Sequence, residues 1–201
     1  MRSAALITII LAGLGGVGCK GQPVKLKSNS SLEEARAYER FPVYYAGDKV
    51  AGLPLTAVNR EPVTAPPGTP TAPKIRKARG VSSFEFDYGS CVVPSGAEGS
   101  CSLPLNIQVW PACAHYPALY RQGLGSPVPR KTRIRGVPAA YFEGGYRLEV
   151  QTGASTIVIF GKRARMRAAV AALEGLNVNV APGQRLPPPV PGALDGSLPC
   201  A

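Results

Sequence analysis

A chain of 201 residues with 23 Lys+Arg against 12 Asp+Glu carries a formal net charge of +11, and that length gives room for one domain. Gly (23) and Pro (21) are abundant, yet 45% of the residues are hydrophobic, which excludes a collagenous or wholly disordered chain and describes a loop-rich globular one. One His, one Trp and two Met leave little from which to assemble a metal or catalytic constellation.

The first 19 residues begin Met-Arg-Ser, continue as the apolar run 4–14 and end on Gly15, Gly16, Val17, Gly18 and Cys19. A basic start, an apolar stretch and a small-residue zone make a secretory signal peptide. The run is shorter than the ~20 residues a membrane-spanning helix needs. Val17-Gly18-Cys19 resembles the lipobox of bacterial lipoproteins, with Gly16 where that family has Leu. The resemblance implies acylation of Cys19 and residence on the outer face of the cytoplasmic membrane; without lipidation the protein is secreted. Apart from Cys19 there remain Cys91, Cys101, Cys113 and Cys200, an even set that reads as two disulfides in an exported protein. Three connectivities exist, and cysteine counting does not choose among them. The preferred scheme is Cys91–Cys101, which brackets a Pro/Gly/Ser turn, and Cys113–Cys200, which ties down a Pro-rich tail. Closing the longer loop contributes on the order of 4 kcal/mol in the chain-entropy picture.

Residues 20–30 lack periodicity and read as a flexible tether. Ser31 and Glu34 then form a capping-box pattern for a short helix whose inner face is Leu32, Ala35 and Tyr38. Residues 41–45 and 50–58 read as two strands joined by a Gly-containing turn at 46–49. Segment 62–73 holds five prolines and no charge, a polyproline-like excursion. Beyond it, Phe84, Phe86 and Tyr88 alternate with Glu85 and Asp87, and Leu103, Leu105, Ile107 and Val109 alternate with Pro104, Asn106, Gln108 and Trp110. Both are strands, the Pro marking an edge or a strand beginning. Residues 111–130 read as a long loop. Segments 133–142, 146–152 and 155–160, with turns at 143–145 and 153–154, make a three-stranded meander. In its middle strand Arg147, Glu149 and Gln151 share one face, expected to be wet. A helix over 164–174 follows, with Met166, Val170 and Leu173 as its stripe and Gly175 as its stop; residues 181–201 form the tail.

Paired strands, two helices and no alternating βαβ rhythm predict an α+β domain over 31–180. It comprises a largely antiparallel sheet of about five to seven strands, a C-terminal helix packed on it and a short N-terminal helix. The run Arg135-Gly136-Val137-Pro138-Ala139-Ala140, the turn Glu143-Gly144-Gly145, the strand 155–160 and the Ala-rich helix resemble uncharacterised bacterial exported lipoproteins that end in a β-meander plus one helix. That resemblance implies fold and compartment and no catalytic residues.

Three clusters each place four basic residues within six: Lys74, Arg76, Lys77 and Arg79; Arg130, Lys131, Arg133 and Arg135; Lys162, Arg163, Arg165 and Arg167. Such runs serve solubility as solvated faces or attract anions in a salt-dependent way. Cations at a helix N-terminus oppose the macrodipole, so Lys162, Arg163 and Arg165, with Arg133 and Arg135, are the candidate anion-binding residues. No nucleic-acid motif is present. Cys113-Ala114-His115 lacks a second ligand pair for zinc, and His115 has no nucleophile elbow to serve. Glu85 with Asp87, and Glu143 with Glu149, are the carboxylate pairs open to hydrolysis; as polar outward positions they need no function. No catalytic, metal or cofactor residues are assigned. The expected role is a binding or structural module of the cell envelope, held by its lipid anchor, whose partner is an anionic envelope polymer or another envelope protein. The alternatives are a hydrolase of an anionic polymer and a regulatory or sensor lipoprotein with a partner-binding strand edge.

Overall fold

The computed structural model describes residues 22–24, 26–64, 80–93, 101–117 and 129–200. The expected signal segment, Cys19, most of the Pro-rich excursion and the first basic cluster lie outside them. The described chain runs β1 (Gln22–Val24), α1 (Leu32–Arg36), β2 (Tyr44–Tyr45), β3 (Lys49–Val50), β4 (Leu53–Pro62), β5 (Ser82–Tyr88), β6 (Cys91–Val93), β7 (Leu105–Pro111), β8 (Arg130–Ile134), β9 (Val137–Phe142), β10 (Arg147–Thr152), β11 (Ser155–Gly161), α2 (Arg163–Ala172) and β12 (Glu174–Gly175).

Eight strands form one sheet in the order β3-β4-β5-β7-β11-β10-β9-β8, every pair antiparallel. This is the expected architecture of mostly antiparallel sheet with two short helices, with one strand more than anticipated. Segment 41–45 leaves this sheet, the region 49–58 divides into β3 and β4, and segment 133–142 splits at Arg135 and Gly136. Their φ values of 47° and 89° make the two-residue turn whose twist suits a hairpin. A second turn also lies elsewhere than the sequence suggests. Ala51 and Gly52, at φ 50° and 79°, join β3 to β4, whereas β2 pairs with β12 beyond α2. Segment 41–45 is thus clasped by the C-terminal region. Asn177 accepts from the Val43 N–H (2.7 Å) and donates to the Phe41 carbonyl (2.9 Å).

Alternation decides the core. Phe84, Phe86 and Tyr88 of β5, Leu105, Ile107 and Val109 of β7, Leu148 and Val150 of β10, and Ile157 and Ile159 of β11 are all fully buried in one cluster. Met166, Ala169 and Val170 of α2 belong to the same cluster. Tyr88, central in this apolar layer, keeps its hydroxyl bonded, accepting from the Ala46 N–H (3.0 Å) and donating to the Gly47 carbonyl (3.1 Å), as a buried phenol must. Helix α1 starts as its sequence predicts, with the Ser31 hydroxyl oxygen accepting from the Glu34 N–H at 3.2 Å. Helix α2 is offset by a residue or two, and Gly175 lies in β12 rather than just past the helix end. A Cβ there would stand 2.3 Å from the Val178 carbonyl oxygen, so close chain approach is what demands glycine.

The tether reading does not hold for its described part. Residues 22–24 pair with Cys91–Val93. The Ser28 hydroxyl accepts from the Val58 N–H at 3.1 Å, and Asn29 and Ser30 bond to the same strand, β4. Polar short side chains that look like linker chemistry are here satisfying a strand's backbone. The cysteines pair as Cys91–Cys101 (Cα–Cα 5.4 Å) and Cys113–Cys200 (5.2 Å), within ordinary disulfide reach. The tail docks over its length as well as at Cys200. Leu186 and Ala193 are buried, and the Pro187 carbonyl accepts from the Thr152 hydroxyl at 2.8 Å.

Candidate functional site

Two features built from the chemistry-bearing residues stand out: a polar layer on the sheet face opposite the core, and a basic groove at the start of α2. Strand pairing dictates the polar layer. Register aligns Glu85, Gln108, Val158 and Glu149 across β5, β7, β11 and β10, with Asp87, Asn106, Phe160 and Arg147 in the next row. The Asn106 side-chain amide donates to Glu85 Oε1 and to Asp87 Oδ1, both at 2.6 Å. One amide thus tethers both candidate carboxylates.

The expected wet face of β10 is buried instead: Glu149 is 2% and Gln151 3% exposed. The cause lies in the loop after β7, which Cys113 ties to Cys200. It places His115 Nε2 3.4 Å from Glu149 Oε1 and stacks the imidazole on Trp110 with ring centroids 5.5 Å apart. The Arg147 Nε lies 3.4 Å from the same carboxylate oxygen. The Thr156 hydroxyl sits between the His115 carbonyl (2.5 Å) and Gln151 Oε1 (2.7 Å). A lone loop histidine gives no sequence signal for this arrangement. The nearest one is its position two residues after a cysteine that must pair far away. The Glu143 side chain lies outside what the structure describes.

Burial pushes the Asp87 carboxyl up to about 6 from an ordinary 3.8, with the Asn106 hydrogen bond opposing and Glu85 adding to the rise. The folded state therefore holds this proton more tightly than the unfolded chain, and stability falls as pH rises from about 4 through about 6. Asp87→Asn is expected to stabilise the protein by on the order of 2 to 3 kcal/mol at pH 7.5 and by almost nothing at pH 3.5. Urea unfolding of both proteins at the two pH values checks this; an equal difference at both would refute a buried ionisation.

The five candidate anion-binding residues do not converge. The Arg135 guanidinium donates to the carbonyls of Leu173 (2.6 Å), Val170 (3.3 Å), Ala181 (2.8 Å) and Gln184. It is spent on the end of α2 and the loop beyond, where bare carbonyls want a cation. Arg133 donates to the Gly136 carbonyl at 2.6 Å, and the Arg163 guanidinium carbon lies 5.4 Å from the Tyr141 ring centroid. Lys162 and Arg165 alone of the five line a groove of about 410 Å³, with Ser90, Ser102, Leu103, Pro104 and Tyr146 among its walls. Arg165 is braced by donating to the Pro104 carbonyl at 3.3 Å, and Tyr146 is 46% exposed. Ser90 and Ser102 flank Cys91 and Cys101, so the disulfide staples the hydroxyl wall. Helix α2 begins at this groove with Lys162 as its N-cap, no side-chain cap and no acid in its first turn.

No protein-family model, curated protein or solved structure matches the chain. Among the described residues no three His, Cys, Asp or Glu side chains gather to hold a metal ion, and no helix is long and apolar enough to cross a membrane.

Proposed function

We propose that the protein is an exported envelope protein, anchored through acylated Cys19, that works as a binding module and holds an anionic envelope polymer in the Lys162/Arg165 groove. The groove is the observation that carries this. It combines two cations and two hydroxyls with an exposed tyrosine, and its described lining contains no carboxylate. Phosphate or carboxylate groups suit such a wall, because no carboxylate of the described lining competes for the cations and the groove lies at the N-terminus of α2. Two cysteine pairs at bonding distance support an oxidising compartment. Helix α2, with its stripe of Met166, Ala169 and Val170, serves as the cover of the sheet's apolar face.

Cys19 stands only three residues before β1, whose Gln22 pairs with Val93, three residues beyond Ser90. An extended span of that length reaches about 10 Å. Acylation therefore keeps the folded domain on a short leash at the bilayer surface. The hydrolase alternative finds less support: Glu85 and Asp87 converge on Asn106, away from the groove's described walls.

Binding of sodium polygalacturonate and of polyphosphate, followed by titration calorimetry at two salt concentrations, tests the reading. Binding that weakens as salt rises, and weakens about tenfold or more in Lys162→Gln/Arg165→Gln, is expected. Binding of equal strength in that variant would place the ligand elsewhere.

A further inference from the structure

The sheet ends at β8. Among the described residues no strand pairs with its far side. The turn at Arg135 and Gly136 makes Ile134 and Val137 the closing, hydrogen-bonded pair of a two-residue hairpin. Pairs then alternate along the strand: Arg133 opposite Pro138 is non-hydrogen-bonded, Thr132 opposite Ala139 is bonded, and Lys131 opposite Ala140 is not. Pro138 fixes this phase independently, because it has no N–H to give Arg133. The backbone N–H and C=O groups of Lys131 and Arg133 consequently point away from β9, toward the open edge. Their side chains are exposed and lie together on one face of the strand.

We infer that β8 is a docking edge that accepts an extended acidic segment of a protein partner as a ninth strand. The backbone supplies the hydrogen bonds, and the two residues with outward-facing amides are the ones that carry positive charge. An incoming strand with acids at every second position sets them opposite Lys131 and Arg133, where opposite charges in directly paired positions attract. The same cations repel β8 of a second copy, which keeps identical chains from joining edge to edge. This inference rests on the reading of the protein as a binding module but not on the Lys162/Arg165 groove.

The test uses the full disulfide-bonded chain and two capped peptides, Val-Glu-Val-Glu-Val and Val-Lys-Val-Lys-Val, read by NMR titration and amide hydrogen exchange. The acidic peptide is expected to bind about tenfold or more tightly than the basic one and to protect the Lys131 and Arg133 amides. Lys131→Pro removes an outward N–H that β9 does not use and should abolish that protection. Lys131→Glu/Arg133→Glu should reverse the preference between the peptides, and it decides the matter alone if the proline variant fails to fold. Lys162→Gln/Arg165→Gln should leave peptide binding unchanged, so failure at the edge and failure at the groove are told apart. Absence of binding, equal binding of the two peptides, or protection confined to other amides would overturn the inference.

Discussion

Replacing Cys113 and Cys200 together by Ala is expected to lower stability by about 4 kcal/mol, because the bond closes a separation of 87 residues. Native contacts share in the loss. Cys113 and Ala114 pack with Val63 and Val81 in a second, small cluster that Trp110, Leu198 and Cys200 complete. Gly196 lies so close to Tyr116 that a Cβ would stand 2.2 Å from its ring. Untying the tail therefore loosens the loop that brings His115 over Glu149, and amide exchange should rise in residues 112–116 and 187–200 before it rises in β7 or β11. Removing Cys91 and Cys101, separated by 10 residues, should cost about 3 kcal/mol by the same reasoning. Urea unfolding of the oxidised proteins ranks the two. A smaller loss for the long-range pair would mean that the tail is held by its packing and hydrogen bonds rather than by its staple.

The second large effect belongs to Arg135. Its guanidinium satisfies four carbonyls from the end of α2 and the segment behind it, and its own carbonyl accepts from the Leu186 N–H at 3.0 Å. Arg135→Ala is expected to destabilise by about 3 kcal/mol, since charge-assisted bonds are lost and helix-end carbonyls are left without their donor. Arg135→Lys keeps the charge but not the planar fork, and should recover less than half of that loss. Because the residue sits at φ 47°, Arg135→Gly should be about 1 kcal/mol less damaging than Arg135→Ala. Chemical denaturation of the three variants checks the order. A loss below about 0.5 kcal/mol in Arg135→Ala would show water replacing the clamp at no cost.

Arg135 also shows where sequence reasoning stopped. Alternation made Phe84, Phe86 and Tyr88, and likewise Leu105, Ile107 and Val109, legible as buried strand faces, because period-two burial is a local property of the chain. The capping box at Ser31 was legible for the same local reason, whereas the cysteine pairs were one preferred scheme among three that counting leaves open. An arginine in a basic run reads as an anion ligand, whereas its actual partners are carbonyls 35 to 49 residues away. No local pattern marks backbone acceptors. The pairing of Tyr44–Tyr45 with Glu174–Gly175 is equally silent, and so is the burial of Glu149 under His115. Both depend on long-range closure that two residues of strand or one loop histidine do not announce. At the candidate groove, the sequence identified the basic start of α2 but not which of its cations face a concavity. That selection comes from Tyr141 drawing Arg163 aside and from Pro104 bracing Arg165.

Intact-mass analysis of the protein isolated from its native membrane, before and after reduction, is the measurement to make first. An exported, lipid-anchored module should begin at Cys19, carry the mass of a diacylglycerol on it, and gain four hydrogens on reduction from its two disulfides. A chain that retains residues 1–18 would contradict export, one that lacks any acyl mass at Cys19 would contradict anchoring, and one that gains no hydrogen on reduction would contradict the stapled groove.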